Sequence, residues 1–189
     1  FDGDLIFPKN YLETLASHYV QNPKLGMLSG HCYIQKNNKW IYENIASKVH
    51  IRGPLKSYRR ACFKDIGGLQ ASIGWDTVDE LIAVYYGWTF KTVAALKVKH
   101  LKPTGAHYSP SARYLQGEAL YKMRSGFAIA VLSALKMALN KKKFIYFFNC
   151  MMGYFRAYKT RAKYIVTENQ GKFIRRYRWR TLQKKIIRI

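Results

Sequence analysis

Acidic side chains are scarce in this chain: 10 Asp and Glu stand against 33 Lys and Arg among 189 residues, a formal net charge of +23. The imbalance implies an anionic partner, and nucleic acid, anionic lipid and phosphorylated substrates all qualify. Cysteine is sparse as well. Cys32, Cys62 and Cys150 are odd in number, far apart and form no C-x-x-C pair. A disulfide framework or a zinc knuckle is therefore disfavoured and a reducing, cytoplasmic compartment favoured. No apolar run reaches the ~20 residues that a membrane-crossing helix needs. No secretory leader is visible, and the chain opens on Phe1-Asp2-Gly3-Asp4 in mid-phrase, as though a portion preceded it. The length suits one or two domains with real cores.

The few acids are concentrated. Gly74-Trp75-Asp76-Thr77-Val78-Asp79-Glu80 packs three carboxylates into seven residues, just ahead of a helical pattern of Leu81, Ile82, Val84 and Tyr85 that stops at Gly87-Trp88. Carboxylates there fit two jobs: capping the first turn, where N–H groups lack partners and the helix dipole is positive, or serving as a general base at a cleft mouth. The second concentration is Asp2-Gly3-Asp4. Side chains two apart on an extended segment point the same way, so both can reach one cation, and such oxygen ligands suit Mg²⁺ or Mn²⁺ holding a diphosphate. A polar turn with Asx hydrogen bonds is the plainer reading.

Apolar periodicity predicts a helix over 10–20, a strand over 25–34, a polar loop over 35–39 and a strand over 89–100 ending at His100. Between them lie Tyr58-Arg59-Arg60 and Ile66-Gly67-Gly68. The two arginines can be solvated charge or can meet a phosphate, and paired glycines mark a turn or a close approach. His100 becomes a ligand candidate only where aspartates converge on it.

The order Asp2-Gly3-Asp4, Tyr58-Arg59-Arg60, Ile66-Gly67-Gly68, Gly74-Trp75-Asp76, Gly87-Trp88, His100 resembles the second half of a family 2 glycosyltransferase of the GT-A fold, over residues 1–105. The resemblance implies an α/β fold, a partial GT-A mixed sheet with helices over 1–108, followed by an α-helical region over 109–189. It implies a divalent metal, Mg²⁺ or Mn²⁺, held by Asp4 with Asp2 beside it and completed by His100. It also implies donor contacts from Asp2, Asp4, Arg59 and Arg60, and an acceptor loop including Gly67, Gly68, Trp75 and Glu80. The family's base is the Asp of a Glu-Asp pair. Trp75 replaces that Glu, so the base stays open between Asp76 and Asp79. The implied reaction is inverting transfer of a sugar from a nucleotide-sugar to a membrane-proximal or lipid-linked glycan acceptor, as in cell-envelope polysaccharide biosynthesis. The family's nucleotide-binding half would precede Phe1, so the chain alone is expected to show little activity. Gln116-Gly117-Glu118 lacks the Arg-Trp pair that processive polymerases carry nearby, which argues against elongation of a long polymer.

The C-terminal region is basic: fifteen Lys and Arg against Glu168 alone from Lys141 to Arg188. A loop is expected over 103–113 and a helix over 115–124. Two apolar runs, 127–139 and 144–155, flank Lys141-Lys142-Lys143. Each is too short to cross a bilayer, so they read as an interfacial hairpin or as a buried helical pair. The tail 171–189 interleaves basic residues with Phe173, Ile174, Tyr177, Trp179 and Leu182, a cationic amphipathic helix suited to an anionic membrane surface. The expected location is cytoplasmic and peripheral, on the inner membrane face through 126–189. A basic nucleic-acid-binding module or a non-catalytic membrane module is the alternative; no recognised nucleic-acid motif is present.

Overall fold

The computed structural model describes residues 3–43, 50–102 and 112–186, with side chains as far as 184. The protein is α/β, a mixed sheet with helices followed by C-terminal helices. Two compact units divide it: Phe1–Leu69 with Asp79–His107, and Gln70–Val78 with Tyr108–Ile189. The expected boundary at 108/109 thus acquires an excursion, the loop and first helical turn over 70–78.

The first unit holds β1 (Leu5–Ile6), α1 (Tyr11–Gln21), β2 (Leu25–Lys36), β3 (Lys39–Tyr42), a 3-10 turn (Gly53–Leu55), β4 (Ser57–Tyr58), α2 (Arg60–Asp65), most of α3 (Trp75–Tyr85) and β5 (Thr89–His100). The sheet runs β1-β5-β2-β3, and β4 pairs with β2. Among the described strands only β2 and β5 are parallel. One sheet face buries Leu28, Cys32, Leu96 and Val98 against Tyr11 and Leu15 of α1, with Leu25 and Leu55 completing the cluster. That is the alternation a strand imposes on its side chains.

Two local features set the register. The expected loop over 35–39 is tighter than its composition suggested: β2 runs to Lys36 and turns at Asn37 and Asn38, both left-handed at φ 50° and 57°. Asparagine tolerates that region, and a two-residue turn of this hand closes a hairpin, so Lys39–Tyr42 becomes a strand. Between Gly30 and His31 the parallel pairing jumps from Val93 to Lys97. A Cβ on Gly30 would lie 2.3 Å from the Leu96 carbonyl oxygen, so glycine is what admits the bulge.

The second unit contains α4 (Ala112–Lys122), α5 (Phe127–Lys141), α6 (Ile145–Lys159) and α7 (Glu168–Ile186). Both apolar runs are helices, and so is the basic tail. The helix expected over 115–124 starts earlier, so Ala112 and Arg113 are helical rather than loop; residues 103–111 of that expected loop lie outside the described residues. The tail helix also begins earlier than expected, behind a capping box in which the Thr167 N–H donates to Gln170 Oε1 (2.8 Å) and the Gln170 N–H to Thr167 Oγ1 (3.3 Å). α4 and α6 meet backbone to backbone. A Cβ on Gly117 would stand 1.8 Å from the Cys150 carbonyl oxygen, and one on Gly153 2.0 Å from that of Tyr114. Beside this contact Tyr121 stacks on Tyr164 at 5.0 Å, and the Arg124 guanidinium covers Tyr164 at 3.7 Å.

Helices that touch through their carbonyls cannot admit even a methyl group without separating. Gly117→Ala and Gly153→Ala should each cost about 3 kcal/mol or more. Gly67→Ala, at a left-handed turn with open space around it, should cost about 1 kcal/mol. Denaturant unfolding followed by circular dichroism checks the contrast.

Candidate functional site

The pairing of β1 with β5 builds the first cluster. Leu5 is paired with His100, and the Leu101 N–H donates to the Asp4 carbonyl at 2.9 Å, which seats Asp4 beside the end of β5. Asp4 Oδ2 then lies 3.5 Å from His100 Nε2. On the other side of the ring, His100 Nδ1 is 3.1 Å from Glu43 Oε2. Glu43 follows the last residue of β3, and its N–H donates to the Cys32 carbonyl at 2.9 Å. The Arg52 guanidinium holds the same carboxylate at 3.0 Å. His100 and Glu43 are buried; Asp4 is partly open to solvent.

Donor arithmetic gives this chain of groups a direction. The Glu43 carboxylate only accepts, so His100 Nδ1 carries the proton between them. Nε2 of the neutral ring then presents its lone pair to the Asp4 carboxylate, another acceptor. Two acceptors facing each other at 3.5 Å need a positive species between them, either a second proton on the ring or a cation. The spacing suits a cation: two ligands about 2.1 Å from one ion stand about 3.0–3.4 Å apart. A carboxylate on the far nitrogen is the outer-shell arrangement that orients metal-binding histidines. Cys32 also approaches: its sulfur, a Glu43 oxygen and a His100 nitrogen lie within 4.8 Å of one another. A thiol is a poor partner for Mg²⁺ or Mn²⁺, so the hard donors Asp4 and His100 are the fitting pair.

The second cluster surrounds α3. Lys56 donates to both Asp79 oxygens at 2.8 and 3.0 Å, with both side chains buried. The Tyr58 hydroxyl donates to Asp79 at 2.6 Å, and the Glu80 N–H at 2.7 Å. Burial, and then the Asp79 charge, push the Tyr58 phenol far up, so it keeps the proton it donates. Glu80 accepts from the Ile51 N–H at 2.8 Å and lies 3.0 Å from His50 Nδ1. The two carboxylates therefore tie α3 to the strand and turn that precede α2.

The other expected site residues are distributed as follows. Asp76 is exposed in the first turn of α3, and Trp75 beside it is buried. Gly67 and Gly68, at φ 80° and 74°, close the C-terminus of α2 through bonds to Lys64 and Phe63. Arg59 spends Nε on the Leu25 carbonyl and Nη2 on those of Tyr19 and Asn22, with its guanidinium over the Tyr19 ring. Arg60 is exposed at the start of α2. Asp2 lies outside the described residues. Glu43, Arg52 and Lys56 were not anticipated. No local pattern marks Glu43, Arg52 or Lys56.

No protein-family profile matches the chain, and no curated protein matches it.

Replacing Glu43 by Gln should weaken Mn²⁺ binding about 10- to 100-fold through loss of histidine orientation, measured by isothermal titration calorimetry. Lys56→Met strands a buried carboxylate and should cost about 3–5 kcal/mol, most of it recovered in Lys56→Met with Asp79→Asn. Unfolding curves of the single and double variants test this pairing.

Proposed function

We propose that this chain is the metal- and acceptor-binding part of an inverting glycosyltransferase that moves a sugar from a nucleotide-sugar donor to a membrane-proximal glycan. The observation that carries the reading is the meeting of Asp4 and His100, from opposite ends of the resembling segment, with Glu43 and Arg52 behind the imidazole. Asp4 and His100 would hold the divalent ion, which when bound neutralises charge on the departing diphosphate.

Asp76 takes the role of base. Asp79 and Glu80 are buried against Lys56, Tyr58 and the backbone, whereas Asp76 is the exposed carboxylate of the segment. Its carboxylate accepts the acceptor hydroxyl proton as the oxygen bonds to the anomeric carbon. The bond from that carbon to the diphosphate oxygen breaks on the opposite face, which inverts the centre. Asp79 serves by fixing α3.

The second unit supplies membrane proximity in this proposal. Leu132, Leu135 and Leu139 of α5 and Phe148, Met152 and Phe155 of α6 are exposed at helical spacing, close in sequence to Lys141, Lys142 and Lys143. Among the described residues no helix is long and apolar enough to cross a membrane. Shallow insertion into an anionic surface fits short apolar stripes beside lysines.

Hydrolysis of nucleotide-sugars in Mn²⁺ by the full-length protein should fall about 10²- to 10⁴-fold in Asp76→Asn. An Asp76→Asn form as active as wild type removes the base from this mechanism. Flotation with vesicles containing phosphatidylglycerol should recover the wild-type chain and lose most of a Phe148→Ser, Phe155→Ser variant; retention by RNA but not by vesicles contradicts the membrane role.

A further inference from the structure

The side of the β2–β3–β5 sheet opposite Cys32, Val98 and His100 carries an unusual set of residues. Cross-strand register places Tyr33 beside Tyr42 and Lys99, and His31 beside Lys97, with Trp40 next along β3 opposite Gln35. Contacts confirm one surface. Lys97 Nζ stands 5.7 Å from the centre of the Tyr33 ring, and Lys99 Nζ 5.1 Å from that of Trp40. Tyr42 packs against His31 at 5.0 Å and against Tyr33 at 6.0 Å. The four rings are half-buried and both lysines exposed. A strand face of this aromatic content is normally packed beneath another layer; here it retains solvent access.

Its charge is one-sided. Among the described residues neither lysine forms an ion pair, and the carboxylates of Asp4, Glu43, Asp65, Asp79 and Glu80 are engaged elsewhere. We infer that this face binds an anionic oligosaccharide, its carboxylate, sulfate or phosphate groups meeting Lys97 and Lys99 while the sugar ring edges lie against Trp40 and the tyrosines. Complementary charge specifies the anion. The ring geometry favours a sugar over stacked bases. Interplanar angles of 51° and 73° leave no coplanar platform, and ammonium groups already cover the faces of Tyr33 and Trp40. The tyrosine hydroxyls offer hydrogen-bonding groups for sugar hydroxyls. Lys97 and Lys99, two residues apart on one strand, have Cα atoms about 6.6 Å apart along the chain. The choice of a saccharide rests on the transferase reading; because this face is turned away from His100, it would hold a part of the glycan remote from the reacting hydroxyl.

The test titrates the 189-residue chain with hexagalacturonate, neutral cellohexaose, hexauridylate and phosphatidylglycerol vesicles, read by Trp fluorescence and calorimetry. Hexagalacturonate should bind about tenfold or more tighter than cellohexaose, weaken with salt, and lose about tenfold in Lys97→Glu, Lys99→Glu. Lys97→Gln, Lys99→Gln should show a smaller loss in the same direction, with both variants melting like wild type. Equal affinity of wild type and both variants for hexagalacturonate overturns the inference. So does tighter binding of hexauridylate or of vesicles through the same lysines. Donor hydrolysis by the full-length protein separates the two readings: hexagalacturonate binding without hydrolysis counts for the surface and against the transferase, and hydrolysis without hexagalacturonate binding counts against the surface alone.

Discussion

An imidazole held between two carboxylates is the constraint on which the rest of the first unit depends. Glu43 fixes the proton of His100 on Nδ1, and Asp4 faces the opposite nitrogen. The arrangement is stable only with positive charge between Asp4 and the ring, because two acceptors at that distance otherwise repel. Everything that places these groups is backbone pairing: β1 against β5 for Asp4, the β2–β3 hairpin for Glu43, and the long parallel β2–β5 ladder beneath both. Gly30 and the asparagine turn set the register of that ladder and of the hairpin, so residues remote from the chemistry determine its geometry.

The acidic segment divides in two for an equally simple reason. Asp76 lies one turn before Asp79 and Glu80 on the same side of α3, and the division follows the helix axis: Asp76 in the first turn is exposed, while Asp79 and Glu80 in the next are buried. Burial of two carboxylates is tolerable because Lys56, Tyr58 and the Ile51 N–H meet them. The outcome is one exposed carboxylate on a helix anchored by its neighbours, the separation between a reacting group and its support that the proposed general base requires. Burial also pushes the Cys62 thiol up to about 12, with the charges of Asp65 and Asp79 adding to the effect, so that sulfur is packing rather than chemistry.

Much of this was readable from periodicity. The helices after Asn10 and the acidic segment, the long strands and the three basic C-terminal helices all declare themselves through apolar spacing. Short elements did not. β3 hides because Lys39-Trp40-Ile41-Tyr42 follows a polar turn, and β4 is two residues long, held only by its pairing with β2. In the site, Asp4 and His100 were visible as residue types, but Glu43 and Lys56 were not. Their importance comes from contacts with residues 57 and 23 positions away, which no local pattern encodes. Arg59 shows the converse: its motif suggested a phosphate contact, while its donors meet three carbonyls within its own unit.

The central claim is that the charge between Asp4 and His100 is a metal ion. Pulsed electron paramagnetic resonance of the chain with one equivalent of Mn²⁺ reads it directly. The account predicts ¹⁴N coupling from a single imidazole on the bound ion, abolished in His100→Ala and retained in His50→Ala. Mn²⁺ bound through oxygen alone, or nitrogen coupling that survives loss of His100, would contradict it.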